Sequence, residues 1–197
     1  VRNSSKILVV LGTRPEAIKL APVILSLKNR INCENILVCN TGQHKDMVEN
    51  ILTLFGIEKD YDLNLMSTNQ TPLKIALDVI CEVEKIIQEI KPDAIIVQGD
   101  TMTAMAASLA AKYNKIKVFH VEAGLRTNDW KNPFPEELNR QIISKLSDLH
   151  FAATDSARTN LLEENIPESN IFVTGNTAID ALKYVEQLHG NVSISQI

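Results

Sequence analysis

Three carboxylates in this 197-residue chain stand where proton transfer could be done: Asp100, Glu122 and Glu136. Asp100 follows the apolar run DAIIVQG, and Glu122 ends the run KVFHVE just before Ala123 and Gly124. In an open α/β sheet, ligands lie beyond the carboxyl ends of the strands, so an acid that ends a strand is aimed at such a cleft. Glu136 opens a helix-like stretch after the stiff NPFP segment of Pro133 and Pro135. Two acids at adjacent strand ends and a third on a stiffened loop make a set suited to general acid/base chemistry. Each also has an ordinary explanation. Asp favours the helix-capping position. Glu122 suits a structural ion pair with Arg126. Glu136 and Glu137 in a first helical turn stabilise the helix dipole, and Arg140 lies four residues after Glu136, the spacing of a helical ion pair. Asp129 and Lys131 read as loop residues.

The cations come from the first strand end, GTRPEAIK. Thr13 and Glu16 have capping-box spacing, and Pro15 suits the first helical turn. Arg14 is thereby set at the positive end of a helix beside unpaired amides, where an anion such as phosphate is a natural guest. A capped helix with a solvated arginine fits the same residues. Lys19 is five positions further, about 140° around the helix, so spacing does not put both cations on one ligand. The stretch is neither GxGxxG nor a P-loop, which removes the main support for a nicotinamide or ATP site. Gln43 and His44 open a helix after TG, where a histidine reads as a cap or surface residue. Gly175, Asn176 and Thr177 form one more capped turn.

These groups need strands to carry them and helices to space them. Apolar, β-branched runs at 6–12, 35–41, 93–99, 117–122, 149–154 and 171–175, with a weaker one at 61–65, alternate with helix-period segments. Most runs are apolar on both faces, as strands covered on both sides must be. Strict β-α alternation predicts a parallel, doubly wound, Rossmann-like α/β sheet of about seven strands. Ala104, Ala107, Ser108 and Ala111 make a small-residue face able to lie close to a sheet. Residues 1–185 read as one domain, and 186–197 as a linker or the start of a further domain.

Hydrophobic residues make up 45% and charged residues 22%, and the net charge of −4 comes with acids and bases mixed along the chain. No basic stripe suits nucleic acid, and no 18-residue apolar run or signal peptide is seen. Cys33, Cys39 and Cys81 are scattered and read as reduced, buried thiols of a cytosolic protein. The histidines are isolated and Cys/His spacing does not recur, so no metal site is expected. A Ser-His-Asp system lacks its GxSxG elbow.

Six segments together resemble a known family: GTRPEAIKLAPVI, TGQHKDMV, QGDTMTAMAASLAA, HVEAGLRT, PFPEELNR and FVTGNTAIDAL. In this order and spacing, over about residues 5 to 185, they are similar to the N-terminal half of the non-hydrolysing bacterial UDP-N-acetylglucosamine 2-epimerases. The hydrolysing epimerases normally lack the Pro-Glu-Ala of the first motif. The resemblance implies the N-terminal half of a GT-B-type fold, two Rossmann-like domains with the site between them. It implies interconversion of UDP-GlcNAc and UDP-ManNAc without metal, nicotinamide or other cofactor, through loss of the C2 proton and UDP to give 2-acetamidoglucal, then re-addition. Carried over by motif, Asp100, Glu122 and Glu136 are the acid/base and sugar-contacting carboxylates. Arg14 and Lys19 contact the nucleotide sugar or leaving UDP, and Arg140 supports Glu136. A cytoplasmic homodimer making precursors of surface polysaccharides is implied for the full-length protein. The family's second domain, with a catalytic histidine and most uridine contacts, is not matched, so this chain alone is expected to be inactive. Some members bind UDP-GlcNAc allosterically; Gln43, and His44 beside it, match that region, while Asp46 and Asn69 depart from its pattern. Two other readings remain: the acceptor-side half of a GT-B glycosyltransferase, and a non-catalytic remnant.

Overall fold

A computed structural model describes residues 5–42, 45–65 and 70–189. Seven parallel strands form one sheet among them: β1 (Ile7–Leu11), β2 (Ile36–Asn40), β3 (Tyr61–Asp62), β4 (Ala94–Gln98), β5 (Lys117–Ala123), β6 (Leu149–Ala152) and β7 (Ile171–Val173). The spatial order is β3-β2-β1-β4-β5-β6-β7. The chain therefore builds outward in one direction from β1 and then in the other from β4. The two strands are paired with Ile7 opposite Ala94, and their loops diverge. This is the switch point at which a doubly wound sheet opens a crevice.

The helices are α1 (Arg14–Arg30), α2 (Lys45–Leu54), α3 (Pro72–Ile90), α4 (Met102–Tyr113), α5 (Glu136–Leu146), α6 (Asp155–Glu163) and α7 (Thr177–His189). Alternate strand residues feed opposite cores, as a period of two requires. Leu8 and Val10 join Val79, Val83 and Ile95 on one side. Val9 and Leu11 join Leu20, Ile24 and Val38 on the other. Thr13, Thr71, Thr101 and Thr154 each accept an amide from three residues on, so four helices begin on a threonine cap. The expected small face of α4 is buried, and Ser108 stays satisfied there by donating to the Ala104 carbonyl at 2.7 Å.

Six of the seven strands are shorter than their apolar runs, while β5 runs one residue past its own, to Ala123. Thr154, expected in a strand, is the cap of α6. The weak run at 61–65 yields only Tyr61–Asp62. α7 continues through residue 185 to His189. The cysteine expectation needs correction: Cys39 is buried, but Cys33 and Cys81 are exposed, since they lie on a short turn and on the outer face of α3. Among the described residues no helix is long and apolar enough to cross a membrane.

His120 and His150 are opposite each other on β5 and β6, and both are about 1% exposed. His120 Nε2 donates to the Gly99 carbonyl at 2.7 Å, and among the described residues neither Nδ1 has a partner. Burial is the main cause that pulls both imidazoles down from 6.5, to about 3 for His120 and about 4 for His150. The folded state thus stays neutral where the unfolded chain takes up protons, so stability is complete above the unfolded pKa and falls as pH drops below it. Each histidine is expected to remove about 2 kcal/mol between about pH 7 and pH 5. Denaturant midpoints of His120→Gln, which keeps a donor toward Gly99, should fall less over that interval than wild type. An equal fall in both proteins would contradict this account.

Candidate active site

A cleft of about 550 Å³ opens over the carboxyl ends of β1, β4 and β5, and Asp100, Glu122 and Glu136 all line it. The two strand-end acids, Asp100 and Glu122, thus meet Glu136 from the start of α5 in this cleft. Lys19 and Arg140 line it too. Arg14 is exposed and is not among the lining residues. Gln43 and His44 lie outside the described residues.

Glu122 sits in a break of the β5–β6 register, between Val121 and Ala123, with φ 63°. A non-glycine residue in this left-handed region is strained by about 1–3 kcal/mol, and such strain is typical of functional sites. The bend turns the side chain toward β4 and α1. There Lys19 Nζ approaches Oε2 at 2.5 Å, and Gln98 Nε2 donates to the same oxygen. Among the described residues, nothing donates to Oε1. Arg126 is not the partner that the sequence suggested. Its side chain is 1% exposed and turned away, forked onto Glu164 at 2.5 and 2.9 Å and donating to Ser144 Oγ at 2.7 Å.

Asp100 is not the cap of α4; Thr101 is. Its Oδ2 takes Arg140 Nη2 at 2.5 Å, and its carbonyl accepts from Asn139 Nδ2 at 2.8 Å. Here the expected Glu136–Arg140 pair gives way. Arg140 spans from Asp100 to Glu137, whose Oε2 it reaches with Nη1 at 3.1 Å. The reason is burial. Glu137 is fully buried, and a buried charge needs a counter-ion more than a half-exposed one does. Burial would raise the Glu137 carboxyl, but hydrogen bonds from the Thr127 amide, Gln141, Arg140 and the Asn128 amide outweigh it and hold the group below the usual range. Glu136, at the first position of α5, is left facing the cleft with no ion-pair partner among the described residues.

The expected anion site at the start of α1 is filled from within. Glu16, 1% exposed, accepts from the Gly12 amide at 3.0 Å, the Thr13 amide at 2.7 Å and the Thr13 hydroxyl at 2.8 Å. Its other oxygen takes the Thr101 hydroxyl at 2.6 Å. The capping box was legible from Thr13 and Glu16; the bond to a residue 85 positions away was not. Gln98, Asn139 and Glu137 were likewise missed. Gln98 had a signal, a polar residue ending an apolar run beside Asp100.

Gly124, two residues after Glu122, packs directly on α6. Its φ is +89°, and a Cβ there would meet the Ala157 carbonyl oxygen at 2.2 Å. Only glycine lets α6 sit this close under the loop that follows Glu122.

The family profile described as UDP-N-acetylglucosamine 2-epimerase matches residues 6–197. A Campylobacter jejuni UDP-N-acetylglucosamine 2-epimerase is 50% identical over 182 residues, covering 92% of this chain and 47% of the relative. The UDP-GlcNAc 2-epimerase of Neisseria meningitidis, solved bound to UDP-GlcNAc, superposes with a TM-score of 0.90 at 48% identity, over 97% of this chain and 51% of that one. That of Methanocaldococcus jannaschii, solved with UDP-GlcNAc and UDP, gives 0.87 at 38% identity, over 97% and 52%. A lipopolysaccharide outer core galactosyltransferase at 14% identity and TM-score 0.64 shares the fold alone. The chain spans about half the length of the curated relatives it matches. By its profile and these identities, the chain belongs to the UDP-N-acetylglucosamine 2-epimerase family.

Proposed function

We propose that this chain supplies the carboxylate-bearing half of the active site of an enzyme that interconverts UDP-GlcNAc and UDP-ManNAc. The observation that carries the proposal is the convergence of Asp100, Glu122 and Glu136 with Lys19 and Arg140 on one cleft at the switch point. Sugar C2 carries a C–H bond that no carbonyl acidifies. It can be broken only as the anomeric C–O bond breaks, when positive charge develops at C1. A carboxylate takes the C2 proton, UDP leaves with the C1–O electron pair, and 2-acetamidoglucal is the neutral product. Re-addition of UDP to C1 with a proton delivered to the opposite face of C2 gives the epimer. Inversion needs acid/base groups on two faces of the ring, and three carboxylates can serve both. Lys19 and Arg140 offset the negative charge of the carboxylates and the departing diphosphate. We assign Arg14 to the nucleotide at the rim. The second half of the protein would cover the cleft and bind the uridine, so this chain alone has negligible activity. The reading extends to a cytoplasmic homodimer that feeds surface polysaccharide synthesis.

Proton NMR in D2O tests this. The chain is studied alone, and again joined to the C-terminal half of the Neisseria meningitidis relative. With UDP-GlcNAc, the joined protein should place deuterium at C2 and form the manno epimer, and the chain alone should not. A folded joined protein that gives no exchange would sink the proposal. Asp100→Asn or Glu122→Gln should each lower exchange about 100-fold or more, the range general acid/base groups contribute. Near wild-type exchange in either variant would remove that residue from the mechanism. Glu122→Gly and Glu122→Ala should both abolish exchange, and both lose the Lys19 and Gln98 contacts, but the glycine variant should melt no lower than the alanine one because only glycine relieves the left-handed strain. A glycine variant that melts clearly below the alanine variant would show that the bend is not strained.

A further inference from the structure

We propose that Glu137 is a positioning residue that limits Arg140 to a single contact with Asp100, and so keeps the second Asp100 oxygen available to the cleft. This rests on the acid/base reading above for its consequence, but not for its geometry. Arginine and carboxylate favour a two-pronged pairing in which both Nη groups engage both oxygens. Asp100 does not receive it. Only Nη2 of Arg140 reaches Asp100, at Oδ2, and Nη1 is held 3.1 Å from Glu137 Oε2. Among the described residues no donor reaches Asp100 Oδ1.

Glu137 can hold that edge of the guanidinium because it is itself immobile. Its Oε2 also takes the Thr127 amide at 3.1 Å, and its Oε1 takes the Asn128 amide at 3.3 Å and Gln141 Nε2 at 3.2 Å. The carboxylate is fully buried, so it has no water to exchange for these donors. Asn139, also from α5, fixes the Asp100 backbone at the same time. Three residues of one helix turn thus set Asp100: Asn139 its main chain, Arg140 one of its oxygens, and Glu137 the limit on Arg140. Without the Glu137 charge, the freed Nη1 would turn onto Asp100 and cover the oxygen that must accept or give a proton.

Two measurements decide the matter. In a crystal structure of Glu137→Gln, both Arg140 Nη groups should lie within hydrogen-bond distance of Asp100. An Arg140 unchanged from wild type overturns the proposal whatever the activity. Kinetics of the joined protein supply a cycle with Arg140→Lys, since an ammonium is a point donor that cannot fork. Glu137→Gln should lower kcat about tenfold or more with KM little altered, because a proton-transfer oxygen is covered. In the Arg140→Lys background the same change should alter kcat by no more than about twofold. Equal losses in the two backgrounds would mean that Glu137 merely supports the loop, and would overturn the proposal. If Glu137→Gln does not fold, Glu137→Asp keeps the charge but falls short of Arg140, with the same expectations. Wild-type joined protein is measured alongside. Its failure to exchange C2 would count against the epimerase reading, and the variant structure would still decide the geometry.

Discussion

The buried carboxylate of Glu16 is the constraint on which the site depends. A doubly wound sheet must part where its strand order reverses, and here the turns after β1 and β4 diverge. Glu16 bridges them, with one oxygen on the Gly12–Thr13 turn and the other on Thr101. Thr101 adjoins Asp100, so the position of a cleft carboxylate is tied to the first turn of α1. Burial raises the Glu16 carboxyl, and the hydroxyls of Thr101 and Thr13 with the Gly12 and Thr13 amides oppose that effect. Taking away the Thr101 hydroxyl would leave the second, buried oxygen with no donor among the described residues, which costs more than the bond itself contributes.

Around this anchor the charges are arranged asymmetrically. Glu122 and Asp100 each have one oxygen held by a cation, and Glu136 has no such partner among the described residues. The cations are themselves part of the frame. Lys19 reaches Glu122 from α1, and Arg140 reaches Asp100 from α5. A strand-end carboxylate therefore has its direction set by a helix belonging to another βα unit.

Much of this was legible in the residues, and the reasons are specific. Short apolar runs such as DAIIVQG, set between longer helix-period segments, read as buried strands, and their ends place Asp100 and Glu122. Threonine before a helical period marks a cap at Thr13, whereas at α4 the capping position expected of Asp100 falls to Thr101. Pairing was not legible, because it is made across folds of the chain: Lys19 and Glu122 are 103 residues apart, and Asp100 and Arg140 are 40 apart. Local spacing even misled. Four-residue separation favours Glu136 for Arg140, yet Glu137 wins because it lies under a loop whose amides need an acceptor. Glutamate is also a poor choice for a left-handed φ, so no propensity rule could foresee the bend at Glu122.

The loop from Gly124 to Asn128 has a consequence for recognition. Asn160 holds the Gly124 carbonyl, Arg126 is locked on Glu164, and Glu137 binds two amides further on. These side chains and this backbone have already lost their freedom before any ligand arrives. An unordered loop would give up roughly 0.5–1.5 kcal/mol of affinity for every flexible side chain it had to immobilise. Here that entropy is surrendered during folding, so a ligand meeting this loop would have little of it left to order.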